Sequence, residues 1–95
     1  MKKEILDRLN EIIDDEKGVP VTIKSMFTDS ELDSLGTLLT IVTLESDYPF
    51  LPVDMEGAEA LEALDIPNLT VKELINKCRL SIITASLVPK LEKVI

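Results

Sequence analysis

With 95 residues, the chain has material for one small domain, and the absence of histidine removes Ser-His-Asp and Cys-His catalysis together with most zinc sites. A net charge of −8 and a pI near 4.4 repel phosphate backbones, which excludes nucleic acid as the expected partner and favours basic proteins. The single cysteine, Cys78, excludes an internal disulfide and falls on the apolar side of a predicted helix, where a buried thiol is expected.

The abundance of Leu, Ile, Glu and Lys against three glycines and one tyrosine predicts an all-α fold. Ile5, Leu6, Leu9, Ile12 and Ile13 recur at helical spacing, predicting a first helix over about 2–16 with Gly18 as its C-terminal cap. Val19-Pro20-Val21 then forces extended backbone. The segment up to Leu32 reads as a long, partly buried loop in which Val21, Ile23, Met26 and Phe27 need cover.

Leu35, Leu38, Leu39, Ile41, Val42 and Leu44 follow at spacings of three and four, predicting a second helix that Asp33 caps and Tyr48-Pro49 ends. Thr37, Thr40, Thr43, Ile41 and Val42 are poor helix formers, so a strand over 37–44 is the alternative. Asp54 can cap a short third helix through Met55, Ala58, Leu61 and Leu64, weakened by Gly57. Thr70 with Glu73 forms a capping box for a fourth helix carrying Val71, Leu74, Ile75, Cys78, Ile82 and Ala85 on one face, and Pro89 is expected to break or restart it.

The charge is uneven. Residues 79–95 carry +2, which leaves −10 for 1–78, so the expected division is a bundle over 1–78 and a C-terminal extension over 79–95. Leu80, Ile83 and Leu87 form an apolar face on that extension, read as packing back onto the bundle, and a monomer is expected. Lys2 and Lys3 are followed by Glu4, Asp7 and Arg8 rather than an apolar core, and the weakly polar run 80–88 is too short to span a bilayer. The expectation is a soluble, cytoplasmic protein.

From 25 to 71 the chain has ten carboxylates and no Lys or Arg. Asp29, Glu31 and Asp33 match the first ligand spacings of a calcium-binding EF-hand loop. Ser34 replaces its turn glycine, however, and Thr40 its closing glutamate, so no metal site is expected. No base in the sequence suits the activation of Ser34, so this hydroxyl reads as a site modified by another enzyme and the chain itself as no enzyme.

Leu32-Asp33-Ser34-Leu35-x-Thr37 at a helix start, Phe27 in a long preceding loop, Leu44-Glu45 and Tyr48 near the end of the second helix, and Thr70-Val71 opening the fourth resemble the acyl carrier protein family over roughly residues 2–78. The resemblance implies a four-helix bundle with a short third helix. It also implies 4′-phosphopantetheine attached to Ser34, with Asp33 assisting the metal ion of the transferase complex and acyl intermediates held as thioesters, as in fatty acid or polyketide biosynthesis. By the same resemblance, Leu38, Val42, Leu61 and Leu64 line an acyl pocket. Leu35, Leu39, Glu45 and Asp47 would face a phosphopantetheinyl transferase and acyl-processing enzymes with basic patches. Two departures stand out: Gly36 replaces a usual acid and Leu39 a usual recognition glutamate. The alternative is a non-enzymatic acidic helical adaptor that binds a basic protein, with Ser34 unmodified.

Overall fold

The computed structural model describes residues 2–51 and 57–94, and its fold is all-α. Four helices follow in order: α1 Lys2–Asp15, α2 Ser34–Asp47, α3 Gly57–Leu64 and α4 Val71–Val94. The strand alternative for 37–44 is overturned, because side chains at a period of 3.6 give this segment one continuous inward face. The predicted cap Asp54 and Met55 lie outside the described residues.

The core is built from Ile5, Leu9, Ile12 and Ile13 of α1, Ile41 and Leu44 of α2, Leu64 of α3, and Val71, Leu74, Ile75 and Cys78 of α4, closed by Val21, Phe27 and Leu69 from the connections. α1 packs against both α2 and α4, and α2 touches α3. Arg8 on α1 adds an ion pair to Asp47 at the far end of α2. Thr40 is fully buried on α2, and its hydroxyl has no partner among the described residues. Such a group typically costs about 1–3 kcal/mol.

α1 ends in a Schellman motif, with the Gly18 N–H donating to Ile13 O at 2.8 Å and the Lys17 N–H to Asp14 O at 2.9 Å. The left-handed residue is Lys17, at φ 63°, and not the predicted Gly18. Glycine is needed one place later for room: a Cβ at Gly18 would stand 2.6 Å from Leu32 Cδ2 and 2.8 Å from the Ser30 carbonyl oxygen.

The loop from 16 to 33 is long but tied at several points. Asn10 satisfies both main-chain groups of Val21, donating Nδ2 to its carbonyl at 2.9 Å and accepting its N–H at 2.8 Å. The Val19 N–H donates to Ser30 O at 2.7 Å. Phe27 opens a 3-10 turn, Phe27–Ser30, in which the Asp29 carboxylate accepts the Met26 N–H at 2.9 Å. An antiparallel bridge joins Met26 to Thr70, with Phe27 N–H donating to Leu69 O at 2.9 Å and Val71 N–H to Ser25 O at 3.0 Å. Val21 and Phe27 are buried as the sequence requires, whereas Ile23 is exposed, because the Thr22–Ser25 turn points it outward.

Thr70 begins α4 by accepting the Glu73 N–H at 3.1 Å. The helix then runs without interruption to Val94, so residues 79–94 continue α4 rather than forming a separate element, and Pro89 does not end it. A proline inside a helix removes one N–H donor, which the remaining ladder can tolerate at a cost of about 3 kcal/mol. Ile82 packs against the core, while Leu80 and Ile83 face solvent. The helical register that commits Cys78 and Ile82 inward leaves Leu80 and Ile83, two residues of the expected apolar face, at the surface. The side chain of Leu87 lies outside the described residues.

Two measurements test this packing. Gly18→Ala should lower the unfolding free energy by about 1–3 kcal/mol in urea denaturation, because the added methyl meets a backbone carbonyl that cannot rotate away. Burial pushes the Cys78 thiol from 9.0 up to about 12. A raised folded pKa means the folded state holds a proton that the unfolded state releases, so this contribution is complete below pH 9 and declines as pH rises toward 12. The stability difference between the native chain and Cys78→Ala should shrink over that window, and a difference constant with pH would contradict the assignment.

Candidate functional site

The first turn of α2 sets the position of Ser34. Asp33 is in extended conformation, and its Oδ1 accepts the Gly36 N–H at 2.6 Å while its carbonyl accepts the Thr37 N–H at 2.9 Å. This is an N-cap that fixes the start of the helix one residue before the serine. Ser34, as the first helical residue, is exposed. The N–H groups of Ser34 and Leu35 carry no hydrogen bond among the described residues, which leaves two donors and the positive end of the helix directed at whatever approaches.

Gly36 is buried beneath this cap. A Cβ there would lie 3.1 Å from Asp33 Oδ1 and 3.3 Å from Leu32 Cδ2. The absence of a side chain thus lets the capping carboxylate and Leu32 close over the backbone, and an acid at this position would crowd both.

Beside Ser34 an open groove of about 590 Å³ runs between the start of α2, the Phe27–Ser30 turn and the end of α3. Its apolar wall is Leu32, Leu61, Ile66 and Pro67, and Asp33, Ser34, Thr37, Glu62 and Asp65 contribute polar groups to its lining. Asp65 creates the lower wall by adopting a left-handed conformation, φ 52°, and accepting Asn68 Nδ2 at 2.9 Å. The chain thereby reverses after α3 into the 3-10 turn Ile66–Asn68, and Leu61 and Ile66 both line the groove.

Of the four expected pocket residues, Leu61 alone lines this groove. Leu64 is in the central core, Leu38 is half-buried, and Val42 is exposed by 52% on the opposite side of α2. The helical register explains the difference: Gly36, Thr40 and Leu44 take the inward line, and Val42 falls nearly opposite them. The lining residues that periodicity missed, Thr28, Ile66 and Pro67, belong to the two 3-10 turns. The one local signal for them was the turn-forming Asp65-Ile66-Pro67.

Among the expected partner residues, Leu35 and Leu39 are exposed and Glu45 is half-buried. Asp47 is instead engaged by Arg8. Among the described residues no group of three or more potential ligands could hold a metal ion, and no helix is long and apolar enough to cross a membrane. If Asp33 holds the start of α2, Asp33→Ala should cost about 1 kcal/mol in denaturant unfolding. Ser34→Ala, at an exposed position with no side-chain hydrogen bond among the described residues, should stay within about 0.5 kcal/mol of the native chain. Comparisons with protein-family models, with curated proteins and with solved structures return no match to this chain.

Proposed function

We propose that the protein is a carrier that bears 4′-phosphopantetheine on Ser34 and holds acyl groups as thioesters on that arm. The observation that supports this reading best is the exposed hydroxyl of Ser34 at the first position of α2, on the edge of a groove with an apolar wall. A phosphodiester at this point would have the free N–H groups of Ser34 and Leu35 near it. Carboxylates of Asp33, Glu62 and Asp65 in the groove lining would repel the same anion, so the groove suits the uncharged far end of the arm or its cargo rather than the phosphate. Leu32, Leu61 and Ile66 would supply the apolar contact.

Attachment needs a separate transferase, with coenzyme A as donor. The Ser34 oxygen forms the new bond to the pantetheine-side phosphorus, the diphosphate bond breaks, and the hydroxyl proton leaves with the displaced nucleotide or a base of the transferase. Asp33 retains Oδ2, which has no hydrogen-bond partner among the described residues and could meet the metal ion of that complex. The protein then serves as the substrate of other enzymes and catalyses nothing itself.

A second reading, an acidic helical adaptor for a basic partner with Ser34 unmodified, is favoured by the exposed apolar side chains of α2. Intact-mass measurement after incubation with coenzyme A and a broad-specificity phosphopantetheinyl transferase separates the two. The carrier reading expects one phosphopantetheine added to the native chain and none to Ser34→Ala. No gain in the native chain, or a gain that persists in the variant, refutes the assignment.

A further inference from the structure

A second groove, of about 450 Å³, opens between the start of α1 and the middle of α4, lined by Lys2, Asn76, Arg79, Leu80 and Ile83. Among the described residues its lining holds two cations and no carboxylate, on a chain whose net charge is −8. The groove beside Ser34 has the opposite lining, with Asp33, Glu62 and Asp65 and no cation. Lys2 and Arg79 are exposed, and neither side chain has a hydrogen bond or ion pair among the described residues, where both ion pairs belong to Arg8. Lys2 also stands in the first turn of α1, where a cation opposes the helix dipole and so does not stabilise that helix. The half-buried Asn76 amide likewise lacks a partner among the described residues, and Leu80 and Ile83 are exposed by 61% and 42%.

We propose that this groove is a binding site for a small carboxylate that bears an unbranched hydrocarbon chain. The carboxylate would accept from the Arg79 guanidinium, the Lys2 ammonium and the Asn76 amide, and the planar guanidinium fork suits a carboxylate in particular. The hydrocarbon would lie along Leu80 and Ile83, which follow Asn76 on α4 at helical spacing. From Asn76 to Ile83 the helix rises about 10 Å. A volume of about 450 Å³ falls in the range of small-ligand clefts. Net charge selects among anions: a chain at −8 repels a doubly charged head or an anionic membrane surface more strongly than a single carboxylate. Two copies joined face to face through this groove would bring Lys2 and Arg79 against their own counterparts, which disfavours a second copy of the chain. The proposal holds whether or not Ser34 carries an arm.

The test is a titration of octanoate into the full chain, followed by amide chemical shifts. Binding should perturb Asn76, Arg79, Leu80 and Ile83 first and leave Leu61 and Ile66 unmoved. Lys2→Gln combined with Arg79→Gln should weaken it at least about tenfold with an unchanged circular dichroism spectrum, and Leu80→Ser combined with Ile83→Ser should do the same. Acetate, which lacks the chain, and octylammonium, which reverses the charge, should each bind at least about tenfold more weakly than octanoate. If a double variant does not fold, Arg79→Gln or Leu80→Ser alone, each at an exposed position, gives the same comparison. The proposal is overturned if the shifts lie along the groove beside Ser34, if the substitutions have no effect, or if octylammonium binds as well as octanoate. It is also overturned if octyl phosphate, phosphatidylglycerol vesicles or a glutamate-edged leucine helix occupies these residues more tightly than octanoate, or if sedimentation shows the chain pairing with itself there.

Discussion

Two main-chain hydrogen bonds, Phe27 N–H to Leu69 O and Val71 N–H to Ser25 O, hold the arrangement together. They tie the middle of the loop after α1 to the residues that open α4, segments far apart in sequence. Closing such a span costs chain entropy that two bonds alone do not offset. Burial of Phe27 and Leu69 beside the bridge supplies the remainder, at roughly 1.5–3 kcal/mol for each large apolar side chain. The bridge also sets the Phe27–Ser30 turn close to the Ile66–Asn68 turn, and the groove beside Ser34 lies along these two turns.

The second constraint is the crowding around Gly18 and Gly36. Leu32 reaches toward both glycines, and at each one a Cβ would press on it. A single leucine therefore links the end of α1 to the start of α2, so the orientation of Ser34 depends on the loop as much as on its own helix. The Asp33 cap completes this by fixing where the helix begins.

Electrostatics and contact chemistry separate on the surface of α2. Acidic groups stand at the two ends of α2, with Asp47 partly neutralised by Arg8, and the exposed Leu35, Leu39 and Val42 lie between them. Net charge alone would have suggested a purely ionic surface.

Local signals were sufficient for the starts of α2 and α4 and for the end of α2, but not for the end of α4, which passes Pro89. The apolar spacing of α1, the Asp33 cap, the Tyr48-Pro49 stop and Thr70 at the head of α4 each act within a few residues, and each is realised in the fold. Ser34 as an exposed first residue of α2 followed from the same signals. Which apolar residues of α2 face inward did not, because a helix apolar on all sides has no stripe to indicate its buried face. That choice was made by the packing of α2 against α1, and it turned Val42 outward. The lower wall of the groove likewise awaited the left-handed Asp65 and the bridge from Met26 to Thr70, neither of which leaves a periodic trace. The sequence by itself determined where α1 and α2 lie, where α4 begins and which serine heads α2. The tertiary structure decided what that serine stands beside, because the wall opposite it comes from segments brought together only by long-range hydrogen bonds and burial.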